Sequence, residues 1–240
     1  MTVAGNRSLK TVLAHGAAIL ASLAAIIPVY LVCVNSLKSE AQSSSMGIEL
    51  PKELHLENFA TVIDKGRLVE SFFNSMLYAG GGGILATLFA ALAAFILSRH
   101  RTRLNRALYF FLIMGIALPI NFFTLTKILQ LTHLINTKPG MIILYATLQI
   151  PFAVFLIYGF IQSIPRELDE AATIDGCGPF QLFFRVIMPL LTPVLVTTFI
   201  LSFLNTWNDF IMPLYYLNSA ANWPMTLAVY NFCGQYKQSW

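Results

Sequence analysis

The chain has 240 residues, of which 57% are hydrophobic and 11% are charged, and its formal net charge is +4. Soluble domains carry about 25% charged residues, so this composition excludes a chain that covers its whole surface with charge in water. The apolar residues form five runs without Asp, Glu, Lys or Arg. Each run is long enough to cross about 30 Å of hydrocarbon as a helix. The runs are 11–37, 71–98, 107–126, 139–165 and 186–208.

These runs predict an all-α integral membrane protein with a single domain over residues 1–240. One such run could be a soluble core helix, but five together favour membrane spans. Segment 210–236 is also uncharged, but Pro213 and Pro224 interrupt it. We therefore predict a re-entrant or external loop there. The predicted spans are 12–36, 71–97, 107–127, 140–162 and 190–216.

The basic cluster RHRTRLNR at residues 99–106 predicts the orientation of the chain. A positive net charge could indicate nucleic-acid binding, but this cluster is short and lies between two predicted spans. Lys and Arg in such a position mark the cytoplasmic side of a membrane. We therefore predict a multi-pass protein of the cell membrane, surrounded by the lipid bilayer and not bound to nucleic acid. Its N-terminus and segment 162–190 are predicted to be cytoplasmic.

The stretch from Glu167 to Asp175 holds four of the eleven acidic residues of the chain. Pro165 suits the first position of a helix, and the acids follow in the first turns, where the helix dipole favours negative charge. Gly176 and Gly178 are expected to end this helix. Its predicted narrow face of mostly small residues consists of Leu168, Ala171, Ala172 and Asp175.

A second helix is predicted to begin at Pro179. The two helices would form a short helix–turn–helix that presents small and aromatic residues which the loop itself cannot bury. The sequence leaves two interpretations open: a loop that packs only on its own spans, or a docking surface for a partner that receives a helix in a groove. The predicted apolar side of the second helix consists of Phe180, Phe183, Phe184 and Ile187.

Segment 162–190 resembles the EAA loop of the permease subunits of ABC importers. The motif reads Glu170-Ala171-Ala172, three residues, Gly176, nine residues, then Val186-Ile187-Met188-Pro189, and Asp175 before the glycine fits the sugar-permease form. The family has Ile and Leu where this chain has Val186 and Met188. Other stretches resemble the carbohydrate-uptake (CUT1-type) branch, and in particular members similar to the G subunit of the maltose system. They are LENF at 56–59, NS at 74–75, AAFILSR at 93–99, LPI at 118–120, IPRELDEAATIDG at 164–176 and WNDF at 207–210.

The resemblance implies a permease subunit of an ATP-driven sugar or oligosaccharide importer, which is a transport subunit and not an enzyme. The implied partners are a second homologous permease, two ATP-binding-cassette ATPase subunits and an extracytoplasmic sugar-binding protein. The family core has six spans, whereas five are visible in this sequence. The last span of the family core is therefore expected to be missing. In the family the loop couples to the ATPase, here through polar contacts of Glu170. The other implied coupling residues are Ala171, Ala172, Asp175, Gly176, Phe180 and Pro189.

The GGGG stretch at 80–83 lacks the Lys-Ser/Thr and the preceding strand of a phosphate-binding loop, so it predicts close helix packing. We predict no catalytic residue, metal or cofactor. Asp209 is expected at the external interface near the end of a span. Amides and an aromatic face suit sugar recognition, but interface anchoring and helix–helix hydrogen bonding are favoured for Asn205, Trp207 and Asn208, whereas the two roles are equally open for Asn121 and Gln149. The candidates for a sugar path are Asn205, Trp207, Asn208, Asn121 and Gln149.

Three alternative functions remain open from the sequence. The chain could be a permease of another ABC-importer branch, for amino acids or peptides. It could be a membrane assembly or sensor subunit that uses the same docking surface without transport. A secondary transporter would need ionisable groups in the middle of its spans, and the predicted spans hold no charged residue there.

Overall fold

The computed structural model describes residues 3–43, 45–100 and 102–234. Within these residues every regular element is a helix, which agrees with the predicted all-α class. Contacts within the chain group it into two compact units, and the single domain predicted from the sequence stays a prediction. Residues 1–68 together with 229–240 form the first unit, and residues 69–228 form the second.

The first unit is built on α1 (Val3–Ser36), and the segment that follows folds back on the end of this helix. The buried Lys38 donates from Nζ to Asn35 Oδ1 at 3.0 Å and to the Gly47 carbonyl at 2.7 Å. Asn58, from the LENF stretch, donates from Nδ2 to the carbonyls of Ser36 and Lys38, both at 3.0 Å. Of these acceptors, the Ser36 carbonyl is one that the end of α1 leaves without a partner inside the helix. The two short helices of this unit are α2 (Glu40–Ser43) and α3 (Glu57–Lys65).

The second unit contains most of the remaining helices, and α5 and α10 both pack against α7. The first of these helices begins one residue before the unit, and the last continues beyond it. In chain order they are α4 (Leu68–Arg99), α5 (Arg103–Ala117), α6 (Phe122–Leu131), α7 (Lys138–Ile161), α8 (Glu167–Ile174), α9 (Pro179–Leu190), α10 (Thr192–Asn208), α11 (Ile211–Tyr216), a 3₁₀ turn (Ala220–Asn222) and α12 (Met225–Gly234).

Three helices of the described part are individually long and apolar enough to cross a membrane: Thr11–Ser36 within α1, then α4 and α7. Two bent pairs raise this number to five if each pair is one span. The pairs are α5 with α6, bent by 112°, and α9 with α10, bent by 77°. The division of the chain into the predicted spans stays a prediction, but two of those spans are not continuous helices.

The predicted span 107–127 is broken at the LPI stretch. Leu118 is extended (φ −77°, ψ 128°), because the ring of the following proline disfavours the helical conformation. Asn121 then begins α6 as its N-cap, and its Oδ1 accepts the backbone N–H of Thr124 at 3.0 Å. The LPI stretch therefore breaks the helix, although the sequence predicted an uninterrupted span there.

The predicted span 190–216 is also interrupted. The bend that precedes α10 falls at Leu191, two residues before Pro193 in the first turn of that helix. α10 ends where Asp209 becomes extended (φ −72°, ψ 130°). The carboxylate Oδ1 of Asp209 accepts the N–H of Ile211 at 2.9 Å and so starts α11. The apolar run thus continues through a polar turn that hydropathy alone does not reveal.

Small side chains on α4 let neighbouring helices pack closely against it. Ala90 and Ala94 are fully buried, in one cluster with Ile157 of α7 and Ile187 of α9. A second cluster lies nearer the first residues of α4 and α7. Its buried members are Tyr78, Leu129, Met141, Leu144, Tyr145, Met212, Tyr216 and Leu217.

The GGGG stretch in α4 confirms the packing that the sequence predicts. A Cβ atom on Gly82 would lie 3.0 Å from Tyr145 Cβ, and one on Gly83 would lie 3.2 Å from the Phe199 ring. A Cβ on Gly80, by contrast, would meet nothing within 4 Å. Glycines in this stretch therefore allow α7 and α10 to approach α4.

This difference predicts opposite effects for two matched substitutions. Gly82→Ala should destabilise the protein by about 1–3 kcal/mol, because stiff helix atoms on both sides must move apart. Gly80→Ala should be neutral or stabilising by up to about 1 kcal/mol, since alanine favours the helix and has free space here. Thermal unfolding of the detergent-solubilised chains measures both, and equal melting temperatures would contradict the packing argument.

Candidate functional site

The candidate site is the 162–190 loop, and its first helix is α8. Arg166 is the N-cap and already has helical angles (φ −74°, ψ −19°), and its carbonyl accepts the N–H of Asp169 at 2.9 Å. Pro165 therefore lies before the N-cap and not at the first position of the helix, which is Glu167. The three acids of the first turn, Glu167, Asp169 and Glu170, lie at the positive end of the helix dipole, as predicted.

α8 ends at a glycine turn, also as predicted. Gly176 has a positive φ of 81°, a conformation that favours glycine. The N–H of Cys177 bonds to the carbonyl of Ala172 at 2.9 Å, and the N–H of Gly176 bonds to that of Thr173 at 3.1 Å. This pair of bonds is a Schellman motif, which satisfies the last carbonyls of the helix. The turn fixes the direction in which the chain leaves α8.

The second helix of the loop, α9, begins at Pro179 as predicted but is not regular. Its middle part, Leu182–Ile187, is π-helical. Pro189 explains this, because it has no N–H and its ring would clash with the carbonyl of Arg185 in an ordinary α-helix. A wider turn ahead of the proline relieves both problems.

The predicted apolar side of α9 is divided between the interior and the surface. Phe183 and Ile187 are buried in the core cluster that α4 and α7 also form. Phe180 and Phe184 remain exposed, with 78% of the residue surface of Phe180 accessible. Only part of that side therefore serves the fold, and Phe180 is available to a partner.

The loop presents an acidic and apolar surface. Ile174 is 85% exposed and lies one helical turn after the exposed Glu170, so the two side chains share a face of α8. Ala171 and Asp175 are exposed as well. Ala172 is buried, with 7% exposed, because α8 packs against α9 on that side. The predicted face of four residues is therefore corrected: Ala172 packs inside the loop and is not an outward contact.

Two arginines join the loop to the end of α4 through contacts that the sequence does not predict. Arg99 Nε lies 2.7 Å from Asp169 Oδ2, and its Nη2 donates to Asp169 Oδ1 at 3.2 Å. Its Nη1 donates to the Ile164 carbonyl at 3.2 Å. Arg166 Nη2 donates in the other direction, to the Ser98 carbonyl at 3.3 Å. Arg99 and Asp169 are seventy positions apart, so no local signal in the sequence could pair them.

The candidates for a sugar path do not form one cluster. Asn205, Trp207 and Asn208 lie in the last turns of α10, whereas Gln149 is half-buried in α7 and Asn121 caps α6. Among the described residues, no hydrogen bond joins any two of these five. Part of their polar capacity is used locally, since Asn121 Oδ1 accepts the Thr124 N–H and Asn208 Nδ2 donates to the Leu204 carbonyl at 2.8 Å.

Trp207 and Asp209, from the WNDF stretch, are held by neighbouring helices. The Trp207 ring stacks on Phe203 with centroids 5.7 Å apart and meets Phe72 of α4 edge-on at 5.8 Å. Asp209 Oδ2 accepts the hydroxyl of Tyr145 at 3.0 Å. Its carbonyl accepts the hydroxyl of Thr226 at 2.8 Å. Asp209 thus bonds helices together, which is more than the interfacial position predicted for it.

Within the described ranges, no group of three or more His, Cys, Asp or Glu side chains could hold a metal ion. The 162–190 loop presents an exposed helix pair with apolar and acidic side chains, which makes it the candidate docking surface for a protein partner. Glu170, Ile174 and Phe180 are the side chains on it that are most open to a partner.

Comparison with known proteins places this geometry in context. A family model described as "Binding-protein-dependent transport system inner membrane component" matches residues 83–236, which include the whole 162–190 loop. The diacetylchitobiose uptake system permease protein NgcG of Streptomyces coelicolor is 31% identical over 216 residues, covering 89% of this chain and 72% of that protein. The melibiose/raffinose/stachyose import permease protein MelC of Bacillus subtilis is 32% identical over 238 residues, covering 98% and 85%.

A solved structure shares the fold. It is the crystal structure of a bacterial ABC transporter involved in the import of the acidic polysaccharide alginate. One of its chains superimposes with a TM-score of 0.80 at 23% identity, covering 97% of this chain and 81% of that chain. The polytopic all-α membrane architecture is therefore common to both.

Proposed function

Because the chain belongs to the family of binding-protein-dependent transport system inner membrane components, we propose that it is the permease subunit of an ATP-driven importer of sugars or oligosaccharides. The observation that carries this proposal is the similarity to MelC and NgcG. It extends over 98% and 89% of this chain, and both proteins are named for the uptake of oligosaccharides.

In this proposal the chain forms half of a translocation path and a second homologous permease forms the other half. The sequence contains no phosphate-binding loop, so the energy comes from two ATP-binding-cassette subunits that bind the permease pair. An extracytoplasmic sugar-binding protein delivers the substrate. ATP binding and hydrolysis in the partners then switch the path between two arrangements.

The 162–190 loop is the proposed contact with the ATPase. Glu170 provides the polar contact, and Ile174 and Phe180 provide apolar side chains that a groove can cover. Asp175 and Gly176 hold the turn between the helices, and Pro189 fixes the irregular form of α9. Ala171 is exposed and small, so a partner surface can approach it closely. Ala172 contributes from the inside, through the packing of α8 on α9.

The orientation follows from the same proposal. The loop must face the cytoplasm to reach an ATPase, which agrees with the positive charge at residues 99–106. The N-terminus is then cytoplasmic as well. The end of α10 lies on the other side, so Asn205, Trp207 and Asn208 are placed where a sugar would enter, with Gln149 deeper in the path and Asn121 mainly a helix cap.

The first experiment is the purification of this chain from detergent-solubilised membranes, followed by mass spectrometry of the proteins that accompany it. We expect a homologous permease and an ATP-binding-cassette protein. Recovery of the chain with neither would contradict the proposal and favour a subunit without a transport role.

The substrate class needs a second experiment in cells. Radiolabelled melibiose, raffinose and diacetylchitobiose, sugars in the names of two relatives, are supplied to cells with and without the chain. We expect chain-dependent accumulation of at least one of them. Accumulation of labelled amino acids or peptides instead would assign the chain to another branch of importers.

A further inference from the structure

The anchoring of α8 is the starting point for an inference that rests on the proposed function. This helix has eight residues, and only Ala172 among them is buried. Helices of this length are marginal by themselves in water. A single buried alanine gives little apolar contact to hold such a helix in one orientation. Other contacts must therefore set the position of the proposed docking surface.

The pair of Arg99 and Asp169 provides such a contact. Arg99 Nη2 donates to Asp169 Oδ1 and Nη1 donates to the Ile164 carbonyl, whereas Nε lies 2.7 Å from Asp169 Oδ2 as an ion-pair contact without hydrogen-bond geometry. Only 10% of the Arg99 side chain and 18% of the Asp169 side chain are exposed. Because the pair is sheltered from water, its attraction is screened less than that of a surface ion pair, and the hydrogen bonds from Nη1 and Nη2 give it a direction.

A second contact runs in the reverse direction. Arg166, the N-cap of α8, bonds the carbonyl of the buried Ser98 in the last turn of α4. Each element thus contributes an arginine to the other, on adjacent residues of α4. Two contacts, one donated by α4 and one donated by the start of α8, restrain rotation as well as separation of the two helices. α4, with 32 residues, is also one of the helices long enough to span a membrane.

We propose that Arg99 and Asp169 are positioning residues that couple α8 to α4, so that a displacement of α8 by the ATPase moves α4 and with it the translocation path. Glu170, Ile174 and Phe180 make the contact with the ATPase, whereas the Arg99–Asp169 pair transmits the movement. Loss of the pair therefore separates two properties that are otherwise linked: the ATPase still binds, but transport no longer follows hydrolysis.

The test uses Arg99→Lys and Asp169→Asn in the whole transporter. Lysine keeps the charge, and with it the orientation signal, but it cannot face two oxygens and a carbonyl at once. We expect each variant to retain the co-purifying ATPase within about twofold and to lose at least about tenfold in sugar accumulated per ATP hydrolysed. The probe is the labelled sugar of the three-sugar panel that the wild-type chain carries. The double variant should lose no more than either single one, because both remove the same interaction.

Arg103→Lys and Glu167→Gln are the matched controls, since they change exposed side chains of the same two regions and should keep the wild-type ratio. A wild-type ratio in Arg99→Lys and Asp169→Asn overturns the inference while leaving the importer assignment intact. So does a loss of bound ATPase in proportion to transport, because that would mean the pair serves only stability or docking. A wild-type chain that carries none of the sugars overturns the proposed function itself, and the inference with it.

Discussion

Glu170→Lys should leave the chain in the membrane in normal amount but reduce the ATPase that co-purifies with it by about 30-fold, which corresponds to about 2 kcal/mol at an interface hot spot. The side chain of Glu170 is exposed and lies one turn before Ile174, the most exposed apolar residue of α8. A partner that covers Ile174 must also cover this carboxylate, and a lysine would then be buried against groups arranged for a negative charge. Quantitative mass spectrometry of the purified complex measures the ratio of ATPase to permease.

Glu167→Lys is the control for this prediction. Glu167 is also exposed and lies in the same first turn, so its reversal costs the same favourable interaction with the helix dipole. It is one turn farther from Ile174. We expect the control to retain the ATPase within about twofold of the wild type. Equal losses in both variants would show that general charge at the start of α8 matters and that Glu170 has no special contact.

The long helices and the loop could be predicted from the sequence because each depends on neighbouring residues. Twenty or more apolar residues without a charge have few structures open to them other than a membrane helix. The glycine turn at Gly176 follows equally from local preference, since few other residues adopt its positive φ without strain. The helix–turn–helix form of the 162–190 loop could therefore be predicted from its local sequence, whereas its role in docking stays a proposal.

The breaks in two predicted spans depend on single residues that hydropathy does not weigh. Pro119 and Asn121 end one helix and begin the next, although the surrounding residues are as apolar as in an unbroken span. In the other span, Pro193 follows the bend at Leu191, and Asp209 ends one helix and begins the next. Pro119 and the N-cap preference of Asn121 together predict the first break.

Contacts between distant segments account for the rest of what the sequence did not reveal. The burial of Ala172 depends on how α9 packs against α8, and the irregular winding of α9 sets that packing. The Arg99–Asp169 pair depends on the last turn of α4 lying next to the loop. The sequence assigned Arg99 to the orientation signal and Asp169 to the helix dipole. Both roles remain compatible with the pair, but neither of them predicts it.

Gly176→Val should impair transport about tenfold while the protein still folds and inserts. A Cβ at this position would meet nothing within 4 Å, so the substitution creates no clash with other residues. Its cost is conformational, because a φ of 81° disfavours an L-residue by about 1–2 kcal/mol and a β-branched one more. The strain is relieved if the turn opens, and the Schellman bonds to Ala172 and Thr173 are then lost. α8 would no longer hold a fixed angle to α9, and the docking surface would lose its shape.

Two further variants separate this cause from a simple effect of size. Gly176→Asn adds a comparable side chain, but asparagine tolerates a positive φ, so transport should recover to within about threefold of the wild type. Gly178→Val places the same valine two residues away, where φ is −72° and a Cβ again has free space, so it should transport normally. Uptake of the labelled sugar and sugar-stimulated ATP hydrolysis are measured for all three. Normal activity in Gly176→Val would contradict the role of the rigid turn, whereas equal losses in Gly176→Val and Gly178→Val would mean that the partner cannot accept bulk anywhere along this part of the loop.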